Sequence, residues 1–241
     1  MCTLEKRGNL FVLTLTGSSD EHLIDPPFIE SILSALSQVK AQATTGSTLV
    51  TTSNGKIFSN GFDLGWVKEA GPGPVVLERL FFLVDAFKPV MAAMISLPMP
   101  TIAAVNGDAV ATGFLLALSH DYFIMKRHKS ILYMKEVDIG ISQPDYFAAV
   151  FRSKVGSATD LRNILLTPKK ITGEEALGMG FVESVYDSAE EVFEASICLA
   201  KQLEGRKWDG EVYAATRKST YLDICRMLGV EVQPAVSSDW K

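Results

Sequence analysis

One glutamate and two glycine-containing turns are the features of this sequence whose residue types and spacing indicate chemistry. The first turn, Phe58–Leu64, follows the β-rich run Thr48–Thr52. The second turn ends the run Pro100–Gly107, and an apolar helix opens shortly afterwards at Thr112. Each turn can present backbone N–H groups at the start of a helix, where they lack a partner within the helix and where negative charge is favoured. Two such donors that converge on one oxygen would form an oxyanion hole.

The glutamate is Glu136, which supplies a carboxylate next in the sequence. A carboxylate beside an oxyanion hole suggests proton transfer next to a carbonyl group. Most glutamates are surface or salt-bridged residues. The apolar neighbours Met134, Val137 and Ile139 favour a buried, functional position for this one.

Other polar residues nearby have simpler expected roles. Asp138 is expected to help a turn, Asp145 to start a helix, and Asp63 to cap the helix after the first turn. Asn106-Gly107 is expected to be a turn dipeptide that needs a positive φ. His120 is expected to be a packed, hydrogen-bonded histidine and not a base.

The first half of the sequence alternates strands and helices, as a stacked ββα or βαβ architecture does. A helix is predicted from about Pro27 to Lys40, with Asp25 as its cap. Apolar residues at helical spacing predict a second helix between Val76 and Pro98. The predicted strands are Leu10–Thr16, Leu49–Thr52, Thr101–Val105, Tyr122–Met125 and Ile131–Tyr133.

The second half has a helical pattern from Asp145 onward. We therefore expect a core with the active site over residues 1–150 and a helical C-terminal subdomain over residues 151–241. Phe181–Val185 is one short apolar interruption, and a final helix is predicted over Asp209–Leu228. Two pairs fit the capping-box signature that precedes helices, namely Thr172 with Glu175 and Ser188 with Glu191.

Composition excludes several functional classes. Hydrophobic residues make up 47% and charged residues 21%, which is ordinary for a globular enzyme. The formal net charge of −5 argues against a nucleic-acid partner. Cys2, Cys198 and Cys225 are too few and too scattered for a disulfide framework or a zinc site, and no other metal-ligand spacing is present. No signal peptide or membrane span is expected, because charged residues interrupt the apolar runs.

Three ordered segments resemble the signatures of the crotonase (enoyl-CoA hydratase/isomerase) superfamily, over nearly the full length of the chain. They are Phe58–Leu64, the run Thr101–Gly107 with Ala109 and Gly113, and Glu136–Gly140. The resemblance implies an α/β fold with a stacked ββα spiral core and a C-terminal helical trimerisation region. Within the superfamily the chain is similar to plant Δ3,Δ2-enoyl-CoA isomerases at Met1–Arg7, Leu118–Tyr122 and Tyr133-Met134.

By position, the resemblance implies that the N–H groups of Phe62 and Thr112 form the oxyanion hole and that Glu136 is the catalytic carboxylate. Many hydratases of the superfamily carry a further glutamate where this chain has Leu115. Water addition benefits from two carboxylates, whereas a 1,3-proton shift needs one, so the sequence favours an isomerase. A carboxylate at Asp108 would oppose the oxyanion unless it points away. The implied substrate-binding residues are Ser59, Asn60, Gly61, Phe62, Asp63, Leu64 and Gly113.

The implied activity converts 3-enoyl-CoA to 2-trans-enoyl-CoA in fatty acid β-oxidation, with coenzyme A entering as part of the substrate and with no separate cofactor. The alternatives are a hydratase or other crotonase-type acyl-CoA enzyme, and a catalytically diverged acyl-CoA-binding paralogue. Lys56, Lys68 and Arg217-Lys218 are candidates for the coenzyme A phosphates, although solvated surface charge is the simpler explanation. The resemblance also implies a homotrimer or a dimer of trimers and a peroxisomal address. The run Ser238–Lys241 differs from a Ser-Lys-Leu signal, so a cytoplasmic location stays open.

Overall fold

Strands and helices alternate along the chain. The structure is a computed structural model and describes residues 1–17 and 19–237. In chain order the strands are β1 Cys2–Arg7, β2 Leu10–Leu15, β3 Thr48–Ser53, β4 Ile57–Ser59, β5 Thr101–Val105, β6 Asp108–Val110, β7 Tyr122–Lys126, β8 Ile131–Tyr133, β9 Ile171–Thr172 and β10 Ser184–Tyr186. The helices are α1 Pro26–Ala41, α2 Leu64–Lys68, α3 Pro74–Ile95, α4 Thr112–Leu118, α5 Asp145–Lys154, α6 Ala158–Leu165, α7 Gly173–Gly178, α8 Ala189–Glu204, α9 Gly210–Thr220 and α10 Leu222–Leu228, and a short 3-10 helix covers Val137–Ile139.

Over the described residues the strands form two sheets. The first has six strands in the order β1-β2-β3-β5-β7-β10, and the second has four in the order β4-β6-β8-β9. Pairing is parallel except at β1 with β2 and at β8 with β9. Because β3, β5 and β7 are each followed by a strand of the second sheet, the chain repeats a stacked ββα unit. This confirms the predicted architecture.

The first sheet is buried on both faces at its centre. All residues of β3 and β5 are buried, which explains why their sequences are continuous β-branched and apolar runs without polar alternation. Val192 and Ala200 of α8 cover one face, against Val50 and Ile102. The second sheet and helices α1, α3, α4 and α5 lie in the larger core on the other side. The ends of β4, β6 and β8 therefore meet inside the protein.

The N-terminal capping predictions are confirmed. Asp25 accepts a hydrogen bond from the Phe28 N–H at 2.9 Å, at the start of α1. Both capping boxes are present, with Thr172 at the start of α7 and Ser188 at the start of α8. These signals act over three residues, so the sequence carries them directly.

Two assignments differ from the sequence prediction. β1 was not predicted, and its alternating but mostly exposed residues explain why its apolar signal is weak. The predicted helix Asp209–Leu228 is two helices, because Tyr221 leaves helical geometry at φ −111° and ψ 48°. The Lys154 Nζ binds the Tyr221 hydroxyl at 3.0 Å and lies 4.1 Å from the centre of its ring. This tertiary contact lies at the break between α9 and α10, where the sequence has no glycine or proline.

The division near residue 150 stays a prediction. Helix α5 runs across it, and β9 and β10 pair with strands of the first half. Residues 238–241, used above to judge localisation, lie outside the described residues. None of the helices over the described ranges combines the length and the apolar character needed to cross a membrane.

Candidate active site

A cavity of about 40 Å³ lies where the ends of β4 and β6 meet α3 and α5. Its walls are apolar apart from a threonine, a lysine and a glutamate. Ligand pockets of this kind combine apolar walls with a few polar groups that fix orientation. The lining residues are Phe62, Leu64, Leu80, Val84, Ala111, Thr112, Lys135, Glu136, Ile139, Ile141, Pro144 and Phe147.

The first turn presents the N–H of Phe62. Its neighbours in the loop are tied to the segment before α1, because the Ile24 N–H donates to the Gly61 carbonyl at 2.8 Å and the Asp63 N–H donates to the Ile24 carbonyl at 3.0 Å. Gly61 has a φ of +82°, which L side chains rarely adopt. Asp63 then caps α2 by accepting from the Trp66 N–H at 2.9 Å, as expected.

The second turn presents the N–H of Thr112, the first residue of α4. Here the sequence expectation for Asn106-Gly107 is wrong, since neither residue has a positive φ. Gly107 is instead required by close approach, because a Cβ on it would lie 1.9 Å from the Lys56 carbonyl oxygen. The positive φ falls on Ala111, at 52°, which directly precedes the donor. Such backbone strain in a non-glycine residue is typical of functional sites.

The two turns are in direct contact. A Cβ placed on Gly61 would lie 3.2 Å from the Thr112 nitrogen, and one on Gly113 would lie 2.2 Å from the Ser59 carbonyl oxygen. Within the described residues, neither the Phe62 N–H nor the Thr112 N–H donates to a protein acceptor. Buried N–H groups without a partner are rare in proteins. Both N–H groups belong to residues that line the same cavity.

Glu136 is placed on the cavity by a tight turn. Its carbonyl oxygen accepts from the N–H groups of Ile139 at 3.2 Å and Ile141 at 2.9 Å, and Gly140 closes the turn in the left-handed conformation. Glu136 is only 7% exposed, and its Oε2 is buried without a hydrogen-bond partner among the described residues. Burial raises the pKa of this carboxyl, and its own backbone N–H, the Gln143 amide and Lys135 offset only part of that effect. The site thus holds a carboxyl whose pKa is shifted toward neutral pH.

The neighbouring carboxylates do not line the cavity. Asp108 accepts a hydrogen bond from the Ile131 N–H of β8 at 2.9 Å and is not a lining residue. Its charge therefore does not face the two free N–H groups. Asp138 accepts from the Tyr133 hydroxyl, and Asp145 is exposed at the first residue of α5. Leu115 is fully buried. Among the described lining residues, Glu136 is the one carboxylate.

Two further sequence expectations have clear outcomes. His120 is buried, and its ring nitrogens contact the Thr51 hydroxyl at 2.8 Å and the Leu116 carbonyl at 2.9 Å. Burial lowers the pKa of His120 to about 4, which confirms a packed neutral histidine. The suggestion that Arg217 meets a coenzyme A phosphate is wrong. Arg217 is 5% exposed and binds both carboxylate oxygens of Asp121, at 2.7 and 2.6 Å.

The predicted site residues divide into two groups. Phe62, Leu64, Thr112 and Glu136 line the same cavity. The rest form the supporting loops, and their contact with a substrate stays a prediction. Those supporting residues are Ser59, Asn60, Gly61, Asp63 and Gly113.

Sequence reasoning missed residues that hold or flank the site. His22 has a φ of 47°, and its Nδ1 lies 2.9 Å from the Ile57 carbonyl oxygen. The His22 carbonyl accepts from the Ser59 hydroxyl at 2.8 Å, so His22 ties down the first turn. Gln143 was also missed, and its amide is buried near Glu136. No local pattern marks either residue, because their partners are set by the fold.

Comparison with known proteins gives a family match and several similar chains. The family model described as enoyl-CoA hydratase/isomerase matches residues 5–218. The chain is 56% identical to enoyl-CoA delta isomerase 2, peroxisomal, of Arabidopsis thaliana, with 97% of each chain covered. It is 55% identical to enoyl-CoA delta isomerase 3 of the same plant (95% of each) and 43% identical to enoyl-CoA delta isomerase 1, peroxisomal (93% of this chain, 91% of the relative).

Solved structures give the same fold. A probable enoyl-CoA hydratase from Mycobacterium tuberculosis superposes with a TM-score of 0.83 at 20% identity, covering 95% of this chain and 91% of the other. An enoyl-CoA hydratase/isomerase family protein from Pseudomonas syringae also gives 0.83, at 24% identity, covering 95% and 93%. At this identity the likeness concerns the fold alone.

Proposed function

Because this chain belongs to the enoyl-CoA hydratase/isomerase family, we propose that its cavity isomerises 3-enoyl-CoA to 2-trans-enoyl-CoA. The chain has the crotonase fold, and the relatives named above are enoyl-CoA delta isomerases. The observation that carries the proposal is the meeting of one buried carboxyl, Glu136, with two unpaired backbone N–H groups in an apolar cavity.

The reaction moves one proton and no net electrons. The Glu136 carboxylate takes a proton from C2 of the substrate, and the C–H electron pair forms a dienolate whose negative charge rests on the thioester oxygen. The N–H groups of Phe62 and Thr112 bind that oxygen. The carboxylic acid then returns the proton to C4, the double bond moves to C2–C3, and the thioester carbonyl re-forms. No redox cofactor or external acid is required by this balance.

The donors and the acid contribute in different ways. The loops hold both N–H groups before the substrate arrives, so they stabilise the oxyanion without reorganising, and losing one such donor typically costs about 10²–10³ in rate. Burial raises the pKa of Glu136. A carboxyl whose pKa is closer to the working pH takes and returns a proton more readily.

The absence of a second acid in the described cavity lining favours isomerisation over hydration. Adding water to a conjugated double bond requires a group to hold and activate that water. The position that could carry such a glutamate is Leu115, which is buried in the core. A single carboxyl is sufficient for a 1,3-proton shift.

The test uses purified protein with 3-enoyl-CoA and, separately, with 2-enoyl-CoA. We expect the ultraviolet absorbance of the conjugated thioester to appear with the first substrate. Glu136→Gln should lower kcat by about 10²–10⁴, the range of a general acid–base group, while coenzyme A binding is retained. Asp138→Asn, an exposed acid two residues away, is the control and should leave the rate unchanged. Hydration of 2-enoyl-CoA without isomerisation would contradict the proposal, and so would full activity of Glu136→Gln.

Three finer features are part of the same proposal. We propose a homotrimer or a dimer of trimers, supported by the family resemblance and by exposed apolar side chains on α10, Leu222 and Met227. Light scattering of the purified protein measures its mass directly. We also propose a peroxisomal address within fatty acid β-oxidation, supported by the names of two relatives. Fluorescence microscopy of the tagged full chain distinguishes peroxisomes from cytoplasm.

A further inference from the structure

Several buried polar atoms near the cavity lack protein partners among the described residues. They include Glu136 Oε2 and Thr112 Oγ1 of the lining, and both side-chain polar atoms of Gln143, which lies in the chain between the lining residues Ile141 and Pro144. A buried polar atom without a hydrogen bond is uncommon and calls for a physical explanation. The mechanism above uses Glu136 and the Thr112 N–H, but it leaves the buried amide of Gln143 without a role.

The backbone brings Gln143 back to Glu136. Hydrogen bonds from Ile139 and Ile141 to the Glu136 carbonyl close the intervening turn, and Pro144 then starts α5. The Gln143 amide is near enough to counteract, in part, the rise in the pKa of Glu136 that burial causes. That effect is a side-chain hydrogen-bond interaction with Glu136, yet its geometry is loose, since neither Glu136 Oε2 nor the Gln143 Nε2 meets a partner with full hydrogen-bond geometry.

We propose that Gln143 is a positioning residue whose Nε2 donates a hydrogen bond to Glu136 Oε2 when substrate is bound, leaving the other carboxylate oxygen free to carry the proton from C2 to C4. The inference rests on the proposed isomerase function. Catalytic hydrogen bonds are often long or poorly aligned in ligand-free structures and tighten when the substrate binds.

An amide suits this role because it stays neutral and keeps its donor at every step. Oε2 accepts from Nε2 both as part of the carboxylate and as the carbonyl oxygen of the carboxylic acid. The hydrogen bond therefore persists while the other oxygen gains and loses the proton. It also limits rotation of the carboxyl, which keeps the reacting oxygen in line with both carbons.

The charges that act on Glu136 come from its own segment. Lys135 lowers the pKa of Glu136. The hydrogen bond to Asp138 is the main cause of the raised pKa of the Tyr133 hydroxyl, and the Glu136 charge adds a small contribution. Across the cavity, the described lining residues from α2, α3, α4 and α5 are uncharged. A change at Gln143 should therefore be visible in the pH dependence of the reaction.

The test compares Gln143→Met, Gln143→Glu and the control Ser142→Ala with wild type, using 3-enoyl-CoA. Gln143→Met keeps a similar volume but removes the donor. We expect kcat to fall by about 10- to 100-fold with KM little changed, since a hydrogen bond to a charged group is lost. The active form of Glu136 is ionised, so losing its donor should move the acid limb of the kcat profile to higher pH. Gln143→Glu adds a negative charge next to Glu136 and should move the acid limb to still higher pH.

Each outcome decides a separate point. A wild-type kcat and pH profile in both Gln143 variants, with Glu136→Gln inactive, would overturn the role of Gln143 and leave the isomerase function standing. A wild-type protein that does not isomerise 3-enoyl-CoA overturns both. Should Gln143→Met not fold, Gln143→Glu still tests the contact, because its side chain has the same shape and a carboxylate in contact with Glu136 must move the acid limb of the kcat profile to higher pH. Ser142 is exposed and its variant should match wild type.

Discussion

Gly113 is the point at which the two halves of the proposed oxyanion hole touch, and Gly113→Ala tests whether their spacing matters. An added Cβ would lie 2.2 Å from the Ser59 carbonyl oxygen and 2.8 Å from the Ser59 Cβ. The nearest atom is backbone, so no side-chain rotation can relieve the contact. To reach an ordinary separation, α4 and the first turn must move apart by roughly 1 Å.

The size of the effect follows from that displacement. Overpacking of a well-packed core typically costs about 1–3 kcal/mol. A domain with a typical stability of about 5–15 kcal/mol stays folded after such a loss, so activity remains measurable. A misplacement of about 1 Å between catalytic groups can lower the rate about 10²-fold. We therefore expect kcat to fall by about 10²-fold.

The assay follows the absorbance of the conjugated thioester, together with urea unfolding of the same preparations. Gly178→Ala is the matched control, because no atom lies within 4 Å of a Cβ at that helical glycine. It should change neither kcat nor the unfolding midpoint by a large amount. If Gly113→Ala is destabilised as expected but keeps the wild-type kcat, the two N–H groups do not act as one oxyanion hole. If Gly113→Ala keeps both the wild-type kcat and the wild-type unfolding midpoint, the close approach of Gly113 to Ser59 is refuted.

Three further predictions concern stability. Arg217→Met should lower the free energy of unfolding by about 3–5 kcal/mol, because the largely buried Asp121 carboxylate loses its cation and keeps only its hydrogen bonds from Thr101. Arg152→Ala, in an exposed pair, should cost less than about 1 kcal/mol in urea unfolding. Ala111→Gly should raise the free energy of unfolding by up to about 1 kcal/mol, since the strain of a positive φ is relieved; a large loss in the same assay would contradict that strain. The last prediction concerns Glu136→Gln. Because the pKa of Glu136 is raised in the folded state, the stability of the wild-type protein falls as pH rises above about 4.5. The variant should therefore show a higher urea midpoint than wild type at pH 8 and no such difference near pH 4.

The parts of the fold that the sequence predicted are those controlled locally. The caps at Asp25, Thr172 and Ser188 depend on hydrogen bonds to residues three positions away. The buried parallel strands β3 and β5 follow from continuous β-branched and apolar runs. A single sequence contains both signals in full, so their positions could be predicted to within one or two residues.

The errors occurred where distant contacts decide the local geometry. The break at Tyr221 coincides with the contact from Lys154, which lies 67 residues earlier. Gly107 is required by the approach of the Lys56 carbonyl and not by its own φ. Arg217 appeared to be a surface charge because its partner Asp121 lies 96 residues away. In each case the sequence carries the residue but not the neighbour that explains it.

The candidate site shows the same division. Phe62, Thr112 and Glu136 were predicted because each belongs to a short motif, and the structure brings all three to one cavity. His22 and Gln143 belong to no motif. They are defined by burial and by partners on other segments, which the amino-acid sequence alone does not reveal.

Several features that destabilise the folded chain lie at or beside this cavity. Ala111 has a positive φ, one oxygen of the Glu136 carboxyl is buried without a partner, and the Gln143 amide lacks a partner with full hydrogen-bond geometry. The buried charge Arg217, by contrast, has hydrogen bonds from each of its three nitrogens. Unpaired groups in an apolar cavity interact strongly with a polar atom that reaches them, because the local dielectric is low. In the proposed complex, a thioester oxygen would accept from the two unpaired N–H groups. The carbons next to it would lie against the Glu136 carboxyl.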